Sequence, residues 1–258
     1  MKQIFQLKSS AKINLTLDIL GKDKISGYHF IQSVIQEVPW LYDEIFIEIN
    51  NNTHDLEEGK TKIKCHDKNI PCDQKNTIWQ AIEIMRRETN RLDDIYIEIK
   101  KNIPAKNGLG GGSSNAAQIL KFLNKYWKLN KSKRLLAELG AEIGMDVPFF
   151  IWGGTCFATH FGEKIEKLPD LEINEKNLEI IFTNIEISTK NAYKNLDLQK
   201  CGLRQKDTLD LVNDIKDNIT FKNLTKYFHN DFEKNNLDLK KVHLCGSGGA
   251  NFFVDFKF

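Results

Sequence analysis

The chain has 258 residues, 41% hydrophobic and 28% charged, and its 37 basic side chains nearly balance 35 acidic ones, for a net charge of +2. This composition is typical of a globular protein with one large domain or two domains that share a cleft. The weak charge gives no support to a nucleic-acid partner. No signal peptide is indicated, and the longest apolar run, Val147 to Trp152, is far shorter than the roughly 20 residues that cross a bilayer. We expect a soluble cytoplasmic protein with no membrane partner, and its oligomeric state stays open.

The cysteine pattern is typical of free thiols in a reducing compartment. The cysteines are scattered without paired CxxC spacing, at Cys65, Cys72, Cys156, Cys201 and Cys245. Cys65, His66 and Cys72 form one conceivable metal site, but a structural zinc site needs four ligands. We therefore expect no metal site built from protein side chains alone.

Alternating polar and apolar residues predict strands along the first hundred residues. In residues 11–20 the apolar side chains occupy one face, and Lys12, Asn14, Thr16 and Asp18 occupy the other. The other predicted strands share this alternation and a high content of β-branched residues, and they cover residues 44–49, 61–65 and 94–100.

Helical spacing follows in three places. Asn76 is typical of a helix cap before residues 77–88, a second helix is expected from about residue 113, and a third ends at Gly144. Beyond it, residues 152–168 predict a hairpin and residues 178–183 a strand, and residues 188–240 carry amphipathic helical patterns. The last segment predicts a strand, a glycine turn and a strand. Mixed helices and antiparallel strands favour an α+β fold, and we place a domain boundary near residue 156, giving domains 1–156 and 157–258.

Residues 103–117, IPAKNGLGGGSSNAA, carry the strongest chemical signal, and we call them the glycine loop. They connect a predicted strand to the N-terminus of a predicted helix. Glycines let backbone amides approach an anion, and a helix N-terminus offers unpaired N–H groups and positive dipole. Ser113 and Ser114 can cap the helix, hold phosphate oxygens or reach Mg²⁺. The loop has neither the Walker A pattern nor the dinucleotide pattern, and a plain helix-capping turn is the simpler alternative.

The glycine loop resembles the second signature motif of the GHMP kinases. In that family the motif wraps the triphosphate of ATP. The resemblance implies a two-domain α+β architecture, with an N-terminal domain that resembles a ribosomal-protein fold and a smaller C-terminal α/β sandwich. It also implies ATP and Mg²⁺ as cofactors. The loop residues that would bind the nucleotide are Pro104, Ala105, Lys106, Asn107, Gly108, Leu109, Gly110, Gly111, Gly112, Ser113 and Ser114.

Two further segments, in the family's order, resemble its catalytic motifs. SSAKINLTLDIL is similar to the first motif and implies a catalytic role for Lys12, with Asn14 on the same strand face. AEIGMDVPFFIWGG is similar to the segment with the catalytic Asp, which is here Asp146. Taken alone, the lysine would be a solvated strand residue and the aspartate a turn residue. Weaker matches place Asn76 and Lys101 near the adenine, although Asn76 has the capping alternative.

The alcohol that would accept the phosphoryl group is indicated by residues 25–38, ISGYHFIQSVIQEV. It resembles an element of one branch of the family, in which Tyr and His hold the cytidine end of a cytidine-diphosphate methylerythritol. Tyr28 offers a stacking face and His29 a directional hydrogen bond. Ser26 stands where the family usually has Asp. The segment HLCGSGGANFF is similar to the family's third signature, a glycine-rich turn between strands, and implies that Gly246, Ser247 and Gly248 lie near the same substrate. A weaker match places Thr189 beside this substrate.

Two alternatives remain open from the sequence. The acceptor of a GHMP kinase can also be homoserine, a mevalonate or a sugar. A nucleic-acid-binding module would instead require a basic stripe with base-stacking aromatic residues.

Overall fold

The computed structural model describes residues 2–50, 59–182, 189–233 and 242–254. The strands in these ranges are β1 (Lys2–Asn14), β2 (Thr16–Lys22), β3 (His29–Asn50), β4 (Thr61–Cys65), β5 (Asp94–Lys100), β6 (Thr155–His160), β7 (Lys164–Lys167), β8 (Leu178–Ile181), β9 (His229–Asn230), β10 (Val242–Leu244) and β11 (Asn251–Val254). The helices are α1 (Thr77–Arg87), α2 (Gly111–Tyr126), α3 (Lys133–Ala141), α4 (Val147–Trp152), α5 (Thr189–Lys194), α6 (Gln205–Lys216) and α7 (Phe221–Leu224). The mixture of helices with mainly antiparallel strands confirms the predicted α+β class.

The chain forms two compact units, each built from separate stretches of sequence. The first unit contains Met1–Ala11, Leu41–Ala105 and Gly111–Ile151, and the second contains Lys12–Trp40, Lys106–Gly110 and Trp152–Phe258. The boundary near residue 156 stays a prediction.

The first unit places helices against a small mixed sheet. In this sheet β5 runs parallel to β4 and antiparallel to the second half of β3. Alternation explains the burial, because Ile45, Ile47 and Ile49 are fully buried while Phe46 between them is partly exposed. The helix α1 packs against α2, and Asn76 caps α1 by accepting a hydrogen bond from the Ile78 amide.

The turn between α3 and α4 is fixed by close packing in the first unit. Ser132 caps α3 by accepting a hydrogen bond from the Leu135 amide at 3.2 Å. Near the other end of α3, a Cβ at Gly140 would lie 2.7 Å from a methyl carbon of Val147. Glycine therefore lets α4 begin directly against α3, and this contact positions the turn that contains Asp146.

The second unit contains antiparallel pairs β2–β3, β3–β6 and β6–β7, and a parallel pair β2–β9. Only the first half of β3 belongs to this unit. A separate antiparallel sheet has the order β10-β11-β8. The predicted hairpin at residues 152–168 and the terminal strand, turn and strand are both confirmed.

The strand predicted at residues 11–20 is interrupted. The first strand ends at Asn14 and the next begins at Thr16. Both faces of the segment are buried, including Lys12 and Asp18, which are 5% and 0% exposed. Alternation alone predicted one core face and one polar face; the structure covers the polar face with other polar groups, so its residues form a buried hydrogen-bonded layer.

Among the described residues, no helix has the length and apolar content needed to cross a membrane.

Candidate active site

Lys12 is a buried lysine whose hydrogen-bond partners among the described residues are neutral oxygens. Its ammonium donates a hydrogen bond to the amide oxygen of Asn14 at 2.6 Å and lies 3.5 Å from the carbonyl oxygen of Cys245. Burial of a cation beside neutral oxygens is costly in free energy, because these dipoles replace only part of its hydration. This arrangement suits a lysine that receives a ligand anion.

The Asn14 side chain is fixed by a short chain of hydrogen bonds. Its amide nitrogen donates to the hydroxyl of Ser33 at 2.6 Å, and this hydroxyl donates to the carbonyl oxygen of Thr16 at 2.5 Å. The amide oxygen of Asn14 is thereby directed at the ammonium of Lys12. The structure thus brings together the two residues that period-two geometry placed on one face.

Residues 106–110 of the glycine loop are anchored to the backbone beside Lys12. The carbonyl oxygen of Leu109 accepts a hydrogen bond from the Lys12 amide at 3.0 Å, and that of Asn107 accepts one from the Ala250 amide at 3.3 Å. This part of the loop is therefore held by two segments that are distant in sequence.

The glycine turn, defined as residues 245–249, lies against the same strand. The Cys245 amide donates to the carbonyl oxygen of Ala250 at 2.9 Å, which closes the turn. The carbonyl oxygen of Cys245 accepts a hydrogen bond from the Asn14 amide at 3.0 Å. The turn is thus connected directly to the strand that contains Lys12.

Three glycines make this close approach possible. Gly108 has φ +77°, and a Cβ there would lie 2.8 Å from the amide nitrogen of Gly248. A Cβ at Gly246 would lie 2.6 Å from the Gly108 carbonyl oxygen and 2.9 Å from the Lys12 ammonium. A Cβ at Gly248 would lie 2.2 Å from a backbone atom of Asn107. Side chains at these positions would push the loop, the turn and the lysine apart.

The rest of the glycine loop begins α2 in the first unit. Gly111 is the first residue of this helix. Ser114 is 0% exposed, and its hydroxyl accepts a hydrogen bond from the hydroxyl of Ser9 at 2.7 Å. Ser113 is partly exposed. Of the two serine hydroxyls predicted to reach phosphate or Mg²⁺, that of Ser113 fits this role better, because the Ser114 hydroxyl already stabilises the packing of β1 against α2.

Tyr28 and His29 lie at the end of the β2–β3 hairpin beside two further rings. The Tyr28 ring, 50% exposed, lies 5.4 Å from that of Phe161 at an interplanar angle of 30°, and the His29 ring lies 4.7 Å from that of Tyr193 at 33°. Burial, together with the charge of Lys22, lowers the pKa of His29 below its ordinary value. A neutral imidazole and an open aromatic face are suited to a pyrimidine.

Ser26 takes part in a local cap at this hairpin. The carboxylate of Asp23 accepts hydrogen bonds from the amide and the hydroxyl of Ser26 at 2.8 and 2.6 Å. These hydrogen bonds hold the pKa of Asp23 below its ordinary value. A carboxylate is therefore present at this turn, although the sequence has Ser at the position where Asp was expected.

Comparison with known proteins assigns the family. Residues 76–154 match the family described as GHMP kinases N terminal domain. The 4-diphosphocytidyl-2-C-methyl-D-erythritol kinase of Clostridium botulinum (strain Alaska E43) is 35% identical over 253 residues, which cover 95% of this chain and 85% of the relative. The chain belongs to the GHMP kinase family, among its 4-diphosphocytidyl-2-C-methyl-D-erythritol kinases. A second such relative, from Clostridium perfringens (strain ATCC 13124), is 36% identical, with 94% of this chain and 84% of the relative covered.

The fold of this GHMP kinase agrees with the same assignment. A crystal structure of a 4-(cytidine 5'-diphospho)-2C-methyl-D-erythritol kinase superposes with a TM-score of 0.72 at 21% identity, covering 98% of this chain and 90% of that one. The predicted GHMP kinase fold is thereby confirmed. Membership of a kinase family implies the use of ATP.

Asp146 lies in the turn between α3 and α4 of the GHMP kinase, in the first unit. Its side chain is partly exposed. A Cβ at Gly144, within this turn, would lie 3.8 Å from the hydroxyl of Ser113. The turn that contains Asp146 is therefore adjacent to the start of α2, and the catalytic role of Asp146 stays a prediction.

Two residues predicted near the adenine have structural partners in the first unit. Asn76 caps α1, and its side-chain amide also donates to the carbonyl oxygen of Pro71 at 2.6 Å. Lys101 forms a buried ion pair with Asp43, in which the two side chains are 8% and 0% exposed. Both contacts are consistent with structural roles, and the roles in nucleotide binding stay predictions.

The remaining predicted residues divide between the units. Pro104 and Ala105 belong to the first unit, and Lys106, with φ 57°, to the second. Ser247 lies in the glycine turn, and Thr189 begins α5. Among the described residues, no group of three or more His, Cys, Asp or Glu side chains could hold a metal ion.

Sequence reasoning missed Phe161, Tyr193 and Asn230. The two rings lie beside Tyr28 and His29, as described above. Asn230 donates hydrogen bonds to two carbonyl oxygens at the glycine turn. No local pattern identifies these residues, because each acts through a partner far away in sequence.

Proposed function

We propose that this chain transfers the γ-phosphoryl group of ATP to the 2-hydroxyl of 4-diphosphocytidyl-2-C-methyl-D-erythritol. The reaction belongs to the non-mevalonate route to isoprenoid precursors, and we place it in the cytoplasm. The observation that carries the proposal is the buried Lys12 with its neutral partners, held against residues 106–110 of the glycine loop and against the glycine turn. The names of the 35–36% identical relatives support the choice of substrate.

The glycine loop would hold the triphosphate through its backbone. Glycines at residues 108 and 110–112 leave amide groups open to an anion, and the first turn of α2 adds the positive end of the helix dipole. The hydroxyl of Ser113, which is partly exposed, would hold a phosphate oxygen or Mg²⁺ here. Mg²⁺ would neutralise charge on the phosphate oxygens.

We assign the chemistry of the acceptor to two side chains. Asp146 would accept the proton of the 2-hydroxyl, a role typically worth about 10²–10⁴ in rate. Lys12 would stabilise the negative charge that develops during transfer, since its ammonium has only neutral oxygens beside it in the part of the chain that the structure describes. Asn14 would keep this ammonium in place.

The hairpin end supports a cytidine-containing acceptor over homoserine or a mevalonate. Tyr28 presents a half-exposed ring that packs beside the tilted ring of Phe161 on one side. His29 is neutral near pH 7 because its pKa is lowered, so its ring can both donate and accept hydrogen bonds. A pyrimidine uses such a combination, whereas an amino acid or a short hydroxy acid has no ring to stack.

Phosphorylation of a panel of alcohols tests the proposal. With ATP and Mg²⁺, we expect turnover of the cytidine-diphosphate alcohol and kcat/KM at least about 10³-fold lower for homoserine and mevalonate, measured by product formation in mass spectrometry. Asp146→Asn is the matched variant, since it removes the base at nearly constant volume. We expect it to lose about 10²–10⁴ in kcat while its affinity for ATP stays within a few-fold.

Equal turnover of all acceptors would contradict the substrate assignment, and full activity of Asp146→Asn would remove the assigned base. Strong, salt-sensitive RNA binding without phosphoryl transfer would favour the nucleic-acid alternative instead.

A further inference from the structure

Asn230 is a buried amide that contacts the glycine turn. It is 4% exposed and lies on β9 in the second unit. Its side-chain nitrogen donates hydrogen bonds to the carbonyl oxygens of Leu244 and Gly246, at 3.1 and 3.0 Å. Its side-chain oxygen accepts a hydrogen bond from the Phe232 amide at 3.0 Å. The amide orientation is therefore defined, because one end faces only acceptors and the other faces a donor.

Three successive carbonyl groups of the chain point in alternating directions. Those of Leu244 and Gly246 accept from Asn230, whereas that of Cys245, between them, accepts from the Asn14 amide and lies near the Lys12 ammonium. The first residues of the turn are thus held by hydrogen bonds from two sides. Any rotation of these peptide groups would break a hydrogen bond on one side or the other.

The residues on either side of Asn230 anchor it to the strand that follows Lys12. His229 contacts the carboxylate of Asp18 through its Nε2 at 3.0 Å. Asp231 accepts hydrogen bonds from the amides of Ile19 and Gly202, both at 2.7 Å. Residues 229–231 therefore connect the β2 strand to the glycine turn.

We propose that Asn230 is a positioning residue, which sets the peptide orientation of the glycine turn and thereby the location of the Lys12 ammonium. Gly246 borders the space that this ammonium occupies, because a Cβ at Gly246 would lie 2.9 Å from the Lys12 nitrogen. A shift of the glycine turn would therefore change that space. The kinetic part of the inference rests on the proposed function. The structural part, the order of the turn, does not.

Asn230→Asp replaces the side-chain NH₂ group, which is the donor, with an oxygen. The variant keeps the oxygen that accepts from Phe232 and places a second oxygen against the two carbonyl groups. A carboxylate repels these carbonyls, whereas a protonated carboxyl donates one hydrogen bond to them. Burial raises the pKa of such a carboxyl. Asn230→Ala has neither the carboxylate nor the protonated carboxyl, so it serves as the comparison for activity at low pH.

Asn174→Asp is the matched control. Asn174 is exposed in the second unit, and its side-chain oxygen likewise accepts from the amide two residues later, that of Lys176, at 2.9 Å. It therefore undergoes the same chemical change in a similar local turn, away from the glycine turn. Titratable neighbours such as His229, Asp231, Glu233 and Lys12 are common to all variants, so activities are compared as ratios to the wild type.

For Asn230→Asp at about pH 8 we expect kcat to fall about 100-fold with KM for ATP within about threefold, because a misplacement of about 1 Å has this effect. The ratio to wild type should recover at least about fivefold at about pH 6, and Asn230→Ala should show no such recovery. Hydrogen exchange of the full chain without ligand should become faster at residues 244–250 and 106–110 in both Asn230 variants. Asn174→Asp should behave as wild type.

Several results would overturn the inference. The first is a wild-type kcat in both Asn230 variants, and the second is unchanged hydrogen exchange at the glycine turn. The third is faster exchange throughout the second unit together with no recovery of activity at low pH, a combination that indicates a merely structural residue. If Asn230→Asp does not fold, Asn230→Ala decides by the same exchange measurement. If the wild type itself does not phosphorylate the cytidine substrate, the proposed function fails, and the exchange at the turn still tests the positioning role.

Discussion

Two buried lysines of this chain have opposite surroundings. Lys12 in the second unit contacts an amide oxygen and a carbonyl oxygen, and both are neutral. Lys101 in the first unit is paired with the carboxylate of Asp43. The sequence assigned both lysines to the site. Their surroundings separate them, because the protein neutralises the charge of Lys101, whereas Lys12, with no carboxylate partner among the described residues, keeps its charge for a ligand.

The Asp43 carboxylate shows why the Lys101 pair is structural. Its other oxygen accepts hydrogen bonds from the amides of Asn102 and Ile103, both at 2.9 Å. The pair therefore fixes the chain at the start of the glycine loop. A buried carboxylate that lost this lysine would be left with uncompensated charge.

Removal of the Lys12 charge should have the largest effect on turnover. We expect Lys12→Met to lower kcat by about 10²–10³, since a fixed cation at the transition state is lost. Folding should be retained or slightly improved, because a buried charge with neutral partners is replaced by an apolar chain. Steady-state kinetics and thermal unfolding measure the two quantities. A Lys12→Met enzyme with wild-type kcat would place Lys12 outside the chemistry.

Addition of a carboxylate beside Lys12 should have an intermediate effect. Asn14→Asp puts an anion about where the 2.6 Å contact now has a neutral oxygen, and so makes Lys12 resemble Lys101. We expect kcat/KM for ATP to fall by about 10–100-fold, because the new pair competes with phosphate for the ammonium. Ser33→Ala is the control, since it removes the same hydrogen bond from Asn14 without adding charge. Equal losses in both variants would show that Asn14 orientation, not charge, matters.

Removal of the Lys101 charge should have the smallest effect on turnover. We expect Lys101→Met to destabilise the protein by about 3–5 kcal/mol, because Asp43 is left as an unpaired buried charge. The folded variant should keep kcat within about threefold. Addition of Asp43→Asn to this variant should recover part of the free energy of unfolding, measured by urea titration. A large increase in KM for ATP, without loss of stability, would instead favour the nucleotide contact that the family resemblance implies.

The elements of this fold were largely predictable because their signals are local. Residues 61–65 and 94–100 form strands with the predicted bounds, and Asn76 caps the predicted helix. Strand alternation and capping involve residues within one to four positions of each other. The break at Leu15 could not be predicted in this way, because the hydrogen-bond partners of this segment come from residues 34 and 245.

The candidate site was predicted in part for the same reason. The glycine loop could be recognised because several glycines and two serines at a strand-to-helix junction already define a place for an anion. The sequence could not predict that Ser114 is buried in a hydrogen bond while Ser113 stays partly exposed, because the partner of Ser114 is Ser9, 105 residues away. Phe161 and Tyr193 were not predicted either, because the rings that they contact are also distant in sequence.

The sequence by itself determined the α+β class, the family and the positions of its motifs, because these depend on residue type and short spacing. Only the tertiary structure decided which buried lysine is neutralised and which amide holds the glycine turn. Lys101 meets Asp43 across 58 residues, and Lys12 meets Cys245 across 233. Electrostatic pairing and burial depend on which distant groups are brought into contact, and that is a property of the folded chain.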